Sequence, residues 1–224
     1  MTTVYDGLPF PRTDLARAAT QFARENVHAA IFNHSMRTYL YGRFLGEHRG
    51  LRPDEDYDDE LLFLGCVLHD VGLGPKGNGD QRFDIDGADL AAEFLTKQGV
   101  DPERIEVVWD AVALHLYFEV ASRKQPEIAL VTEGAGYDLG PTGPALPPGY
   151  ADRVHAVLPR LHTGAVLYDL VVEQALAKPQ KAPLFSFPGE LVRQKTGDAW
   201  PTWRQLMDKE PSWHDYDGYR PRTG

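Results

Sequence analysis

A histidine and an aspartate stand side by side, His69-Asp70, at the end of the most apolar stretch of the chain, Leu61 to Leu68. An ionised carboxylate in apolar surroundings is strongly unfavourable without a partner. A divalent cation is such a partner, and imidazole with carboxylate suits Zn, Fe, Mn, Co or Ni better than Ca alone. Neighbouring helical side chains point about 100° apart, so both reach one ion only where the helix ends. Gly72 and Gly74 supply that ending. His34, in a segment with Phe32, Tyr39 and Tyr41, is placed to face the same pocket, and Asp138 follows far downstream, after Tyr137. Each feature has a plainer reading: a chance His-Asp pair, a core histidine, a turn aspartate ahead of Gly140-Pro141. The order and separation of all four together favour a metal centre.

The elements that would position these residues read as helices. Thr13-Asp14 caps an amphipathic segment through Ala23, and a second helix starts near Asn26, carries His34 and is closed by Gly50 and Pro53. Asp58-Asp59-Glu60 places acids at the start of a third, where the macrodipole favours them. Its body, Leu61 to His69, is apolar nearly all round and belongs at the centre of the molecule. Gly72 to Gly79 is a loop rich in breakers. Helices are then expected over Asp86 to Gln98 and from Pro102 through His115. A further segment from Pro126 is expected to break at Gly134-Ala135-Gly136, and Arg153 to Leu176 to be mostly helical. Gly140 to Gly149 reads as a loop. Sustained apolar/polar alternation is missing, so the class is all-α. Residues 1–180 read as one domain. Residues 181–224 read as an irregular, aromatic-rich extension whose Phe185, Phe187, Trp200, Trp203 and Trp213 should pack on the domain or on another subunit.

Composition narrows the partners. With Lys+Arg 23 against Asp+Glu 33 the net charge is −10. An acidic chain repels phosphate backbones, and no local basic patch offsets this, so nucleic-acid binding is not expected. A single cysteine, Cys66, rules out an intramolecular disulfide. The absence of a basic and apolar leader and of a span-length apolar run points to a cytoplasmic protein without a membrane segment. Association with a second copy stays open.

The fuller pattern resembles the HD-domain superfamily, helical metal-dependent hydrolases named for the His-Asp dipeptide. The segments that carry the resemblance are Phe32-Asn33-His34-Ser35-Met36-Arg37-Thr38-Tyr39, Leu68-His69-Asp70-Val71-Gly72-Leu73, Arg82-Phe83-Asp84 with Gly87-Ala88-Asp89, Ala113-Leu114-His115, and Gly134-Ala135-Gly136-Tyr137-Asp138. Within the superfamily they are similar to the cyanamide-hydratase-like branch. The resemblance implies an HD helical bundle, with His34, His69, Asp70 and Asp138 as ligands of one divalent ion, zinc first and Fe, Mn, Co or Ni as alternatives. A dinuclear site would need more histidines between Asp70 and Asp138 than His115 alone.

By the same resemblance the reaction is hydration or hydrolysis of a small neutral molecule of the cyanamide or nitrile type, with hydroxide on the ion as nucleophile. Asp70 and His115 are the catalytic candidates, His115 as a hydrogen-bond donor or proton shuttle, against a plainer reading as a buried structural histidine. Phe32, Asn33, Lys76, Arg82 and Tyr137 are the candidate substrate contacts, although Lys76 also reads as a solvated loop residue and Phe32 as ordinary core. The competing activity is a phosphohydrolase of a nucleotide or another phosphate ester. It needs clustered cations, and Arg37, Lys76, Arg82 and Arg123 do not cluster in sequence. A non-catalytic module would typically lack a ligand.

Overall fold

A computed structural model describes residues 7–140, 142–197 and 205. Every regular element among them is helical: α1 Asp14–Asn26, α2 Ala29–His48, α3 Asp59–Leu68, α4 Phe83–Lys97, α5 Pro102–Leu114, α6 Phe118–Ala121, α7 Pro126–Leu139, α8 Tyr150–Val157, α9 Thr163–Ala177 and α10 Phe187–Thr196. The all-α class is therefore observed. No helix among the described residues is long and apolar enough to cross a membrane.

Local chemistry sets the boundaries. Thr13 Oγ1 accepts from the Ala16 N–H at 3.0 Å, and Asp58 Oδ1 from the Leu61 N–H at 2.9 Å, so both caps fall where the sequence placed them. The start of α2 differs. Asn26 turns back to donate to the Phe22 carbonyl at 2.6 Å, and His28 Nδ1 caps α2 by accepting from Ala30 N–H at 3.1 Å. α4 begins at Phe83, three residues before the expected Asp86.

The apolar α3 is the hub. Every residue from Leu61 to Leu68 is buried, and α1, α2, α5 and α7 all pack on it. After it the chain makes two short 3-10 turns, Val71–Leu73 and Pro75–Gly77. Gly72 is obligatory there, because a Cβ at that position would lie 1.9 Å from the Phe83 carbonyl oxygen.

Two expectations fail for identifiable reasons. α7 runs unbroken through Gly134-Ala135-Gly136. Gly134 serves a helix crossing: a Cβ there would come within 2.3 Å of the Thr38 carbonyl oxygen on α2, and a Cβ at Gly42 would come within 2.7 Å of the Leu130 carbonyl oxygen on α7. The two backbones thus touch. The stretch expected as mostly helical from Arg153 to Leu176 divides at 158–162, where Leu161 and His162 adopt positive φ of 50° and 58°.

Part of the expected irregular extension is regular. α10 packs on α9, with Leu191 joining Leu167, Val171 and Val172 in a second apolar cluster. Phe185 and Phe187, expected to be covered, are 74% and 36% exposed. Trp200, Trp203 and Trp213 lie outside the described residues.

Candidate metal centre

α2, α3, α5 and α7 each deliver one part of the site. His69 follows the last residue of α3, and its Nδ1 lies 2.7 Å from the Cys66 carbonyl oxygen. His115 follows the last residue of α5 in the same manner, its Nδ1 2.6 Å from the Val112 carbonyl oxygen. His34 lies inside α2 with Nδ1 2.7 Å from Asp138 Oδ2 on α7. A carbonyl or a carboxylate only accepts, so in each ring Nδ1 carries the proton and donates. Each Nε2 is left with its lone pair, the tautomer that ligates metals.

All three lone pairs turn toward Asp70. His69 Nε2 is 3.2 Å from Asp70 Oδ2, His34 Nε2 is 3.8 Å from the same oxygen, and His115 Nε2 is 3.7 Å from Asp70 Oδ1. His69 and Asp70 are fully buried, and His69 Nε2 and both Asp70 oxygens have no hydrogen-bond partner. Acceptors face acceptors out of reach of water, an arrangement that is costly until a cation enters. His34, His69 and Asp70 each offer one ligand atom, all within 4.8 Å of one another. Two donors bound at about 2.1 Å to one tetrahedral ion stand about 3.4 Å apart, which matches the separations to Asp70. The residues present fit a divalent ion.

The electrostatics show the same demand for positive charge beside Asp70. Burial works against charge on His69, but the adjacent Asp70 carboxylate overcomes it and raises the pKa. Burial and the neighbouring His69 push His115 down to about 4, keeping that ring neutral. Burial would raise Asp70, yet the His69, His115 and His34 rings hold its carboxyl well below the usual range.

The remaining residues singled out in the sequence are placed as follows. Asp138, expected among the ligands, lies behind His34. Its Oδ1 accepts from Arg37 Nε at 2.8 Å and from Arg160 at 3.1 Å, and its Oδ2 accepts from Arg37 Nη2 at 2.7 Å as well as from His34. Those four donors saturate the carboxylate on the side of the ring away from Asp70. Arg37, wholly buried, also donates to the Leu158 carbonyl at 3.0 Å and to Thr163 Oγ1 at 3.1 Å.

A cavity of about 280 Å³ opens over His34, His69, Asp70 and His115, walled by Phe83, Leu116, Phe118, Ala135, Leu139, Leu167 and Phe187, with Thr132 adding a hydroxyl. None of the five expected substrate contacts lines it. Phe32 is buried beneath the Arg24 guanidinium, 4.8 Å from the ring centroid. Asn33 donates to the Pro159 carbonyl at 2.9 Å. Lys76 sits 5.7 Å over the Phe22 ring. Arg82 is held by Asp84 at 2.8 Å and lies over Tyr117. The Tyr137 hydroxyl donates to the Pro144 carbonyl at 2.6 Å. Each is occupied by a neighbour that sequence order does not reveal. Among the wall residues that sequence reasoning missed, Thr132 and Leu139 stand two turns apart on α7, whereas Leu116 follows α5 and Leu167 belongs to α9. Arg37 did leave a signal, standing one helical turn after His34 and so on the same face.

Comparison with known proteins bears on this arrangement. The family model described as HD domain matches residues 31–144, which span α2 through α7 and include His34, His69, Asp70, His115 and Asp138. Cyanamide hydratase DDI2 and cyanamide hydratase DDI3, both from Saccharomyces cerevisiae, are each 27% identical over 111 residues. The match covers 48% of this chain and 48% of each relative, so the chain spans about half the length of the curated relatives it matches.

Proposed function

Because the chain belongs to the HD-domain family, we propose that it is a metal-dependent hydratase or hydrolase whose substrate is small and uncharged, carries a carbon–nitrogen multiple bond and has an apolar body. The observation that carries this reading is the cavity. It joins unpartnered His and Asp ligand atoms at its floor to walls of Phe, Leu and Ala. Among the described residues no Lys or Arg lines it. A phosphate ester would there exchange its hydration for hydrocarbon, which is strongly unfavourable, whereas a neutral molecule loses little. The relatives' names supply the reaction type, hydration of cyanamide.

His34, His69 and Asp70 would hold the ion. When bound, a divalent ion polarises a substrate atom and acidifies water at neutral pH. The chain does the rest. Asp70 has two unpartnered oxygens, so one can face the ion while the other accepts the proton of the attacking water. Thr132 Oγ1 makes only long contacts, 3.5 Å to both the Leu114 and Ile128 carbonyls. It is free to turn its proton to the substrate nitrogen. The balance is R–C≡N + H₂O giving R–C(=O)NH₂: oxygen joins carbon, and both protons of water end on nitrogen. The apolar walls exclude other water and strengthen the charges at the floor.

Size refines the substrate. Liquid water takes about 30 Å³ per molecule, so the cavity of about 280 Å³ has room for about nine such groups, more than the three heavy atoms of cyanamide use. Benzonitrile-sized compounds should therefore be turned over at least as well as cyanamide. The test is a screen of metal-loaded protein against cyanamide, acetonitrile, benzonitrile and nucleoside triphosphates, reading urea, carboxamide and phosphate. Hydration of neutral compounds without phosphate release is expected. Nucleotide turnover at kcat/KM of about 10⁴ M⁻¹s⁻¹ or more, with no nitrile or cyanamide activity, would overturn the proposal.

A further inference from the structure

We propose that α9 and α10, which lie beyond the residues matched to the HD domain family, carry the substrate selectivity of this centre. Leu167 and Phe187 bind the apolar body of the substrate, and Lys181 is a positioning residue that holds them in place. The inference deepens the function proposed above and rests on it for the reaction.

The cavity runs from a closed floor to an open mouth. His69 and Asp70 are fully buried at the floor, whereas Phe118, Leu139 and Phe187 are wall side chains that reach solvent. A nitrile carbon held at the floor therefore sends the rest of its molecule outward, past Leu167 and toward Phe187. Phe118 and Leu139 stand on α6 and α7, inside the family-matched residues. Among the described residues, Leu167 and Phe187 are the wall side chains contributed from outside that match. Cyanamide, with three heavy atoms, has nothing to offer this part of the wall, while an aromatic nitrile does. A single methylene in an apolar pocket shifts an enzyme's preference about 10-fold or more, so these two side chains suffice to rank substrates.

The wall is held by polar side chains that the proposed reaction does not use. Leu167 shares an apolar cluster with Leu73 and Phe83, at the two ends of the loop that follows the His-Asp pair. Gln174 of α9 donates to the Gly72 carbonyl at 3.1 Å. Lys178 donates to the Asn78 and Gly79 carbonyls at 2.9 and 2.8 Å. Lys181, in the 3-10 turn Pro179–Lys181 between α9 and α10, donates to the Gly79 carbonyl at 3.2 Å and is ion-paired with Asp86 in α4. Lys181 is 2% and Asp86 8% exposed, so neither charge keeps its solvation if the other moves away. Such a pair adds little net stability relative to apolar side chains of similar volume. It is satisfied, however, in only one placement of the two segments, and here it fixes the link that leads into Phe187.

The experiment uses the metal-loaded full chain with two readouts. One is the ratio of kcat/KM for benzonitrile to that for cyanamide. The other is the Kd of 4-fluorobenzamide, the product-like ligand, from ¹⁹F NMR line widths. Phe187→Ala and Leu167→Ala should each lower the ratio and raise the Kd about 10-fold or more. Lys181→Met strands the Asp86 charge, so Lys181→Met/Asp86→Leu, free of buried charge, guards against a folding failure. Both should move the ratio and the Kd in the same direction as Phe187→Ala, with the loss for benzonitrile in KM rather than kcat, a split that general destabilisation would not give. Wild-type values in both Phe187→Ala and Leu167→Ala would overturn the role of the wall. A double variant that keeps wild-type values, or that does not fold, would overturn the role of Lys181. Binding of 4-fluorobenzamide without turnover of any nitrile or cyanamide would remove the proposed reaction and leave these residues to be judged on Kd alone. Hydration of cyanamide by a wild type that does not bind 4-fluorobenzamide would remove only this inference.

Discussion

The Arg37–Asp138 pair is the sharpest place to test the physics of the site. Arg37 is wholly inaccessible, its fork grips both oxygens of Asp138, and it also satisfies the Leu158 carbonyl and Thr163. Arg37→Met keeps much of the volume but leaves the Asp138 charge buried, with only His34 and the 40%-exposed Arg160 beside it. Breaking one side of such a pair costs about 3–5 kcal/mol. For a chain of this length each kcal/mol moves Tm by about 2–4 °C, so the metal-free variant should melt about 6–20 °C below wild type. Adding Asp138→Asn removes the stranded charge, so the double variant should be markedly more stable than the sum of the two single losses predicts. Thermal unfolding of the four metal-free proteins measures both quantities. An Arg37→Met loss under about 1 kcal/mol, the range of an exposed ion pair, or strict additivity in the cycle, would refute this account of the buried fork.

Other consequences are equally open to measurement. Gly134→Ala should separate α2 from α7 and lower the melting temperature strongly, whereas Gly136→Ala, where a Cβ meets nothing within 4 Å, should be neutral or mildly stabilising. Burial opposes ionisation of Asp138, but hydrogen bonds from His34 and Arg37 hold its carboxyl well below the usual carboxylate range. Its contribution to metal-free stability is therefore complete above about pH 4, the ordinary carboxylate pKa, and is lost as pH falls through the depressed value. Asp138→Asn should accordingly show a shallower acid limb in a pH series of unfolding curves. Leu139→Arg at the cavity wall should leave the fold intact, since Leu139 is 44% exposed, and should raise KM for benzonitrile far more than for cyanamide. Equal effects on the two substrates would count against the apolar body. Saturating Zn²⁺ at about 1,000 times its Kd should add about 4 kcal/mol to stability, read as a rise in Tm that chelator reverses.

Much of this molecule was legible in its sequence, and the limits have physical causes. The α3 hub could be read because a segment apolar on all sides has nowhere to go but the centre. The His69-Asp70 pair stood out because a carboxylate there needs a cation. α7 was misread because glycine signals a helix break locally, while here it lets two backbones touch, a relation between segments about 90 residues apart. Asp138 was expected as a ligand because the order of residues shows which ones occur but not which edge of an imidazole each one meets. Arg37 sat on the same face of α2 as His34 all along, but its partners, Asp138, Leu158 and Thr163, are more than 100 residues away. The cavity wall was largely out of reach, because Leu167 on α9 and Phe187 on α10 join Thr132 and Leu139 of α7 only after the helices pack.

The tethered rings carry a consequence for how the protein is supplied with its ion. Each imidazole is oriented by its own chain, through Cys66, Val112 or Asp138, so no ion is needed to bring the rings together. The chain can complete its fold first and be loaded afterwards, unlike small domains in which metal binding and folding are one event. A preorganised set of imidazole and carboxylate accepts most divalent transition ions, and the affinity series runs upward from Mn and Fe to Cu before dropping at Zn. Occupancy after biosynthesis is then a record of the metals on offer rather than of selection by the site. Material made in a zinc-rich medium will contain zinc whatever ion serves the reaction best, so the physiological ion has to be sought by exchange and turnover.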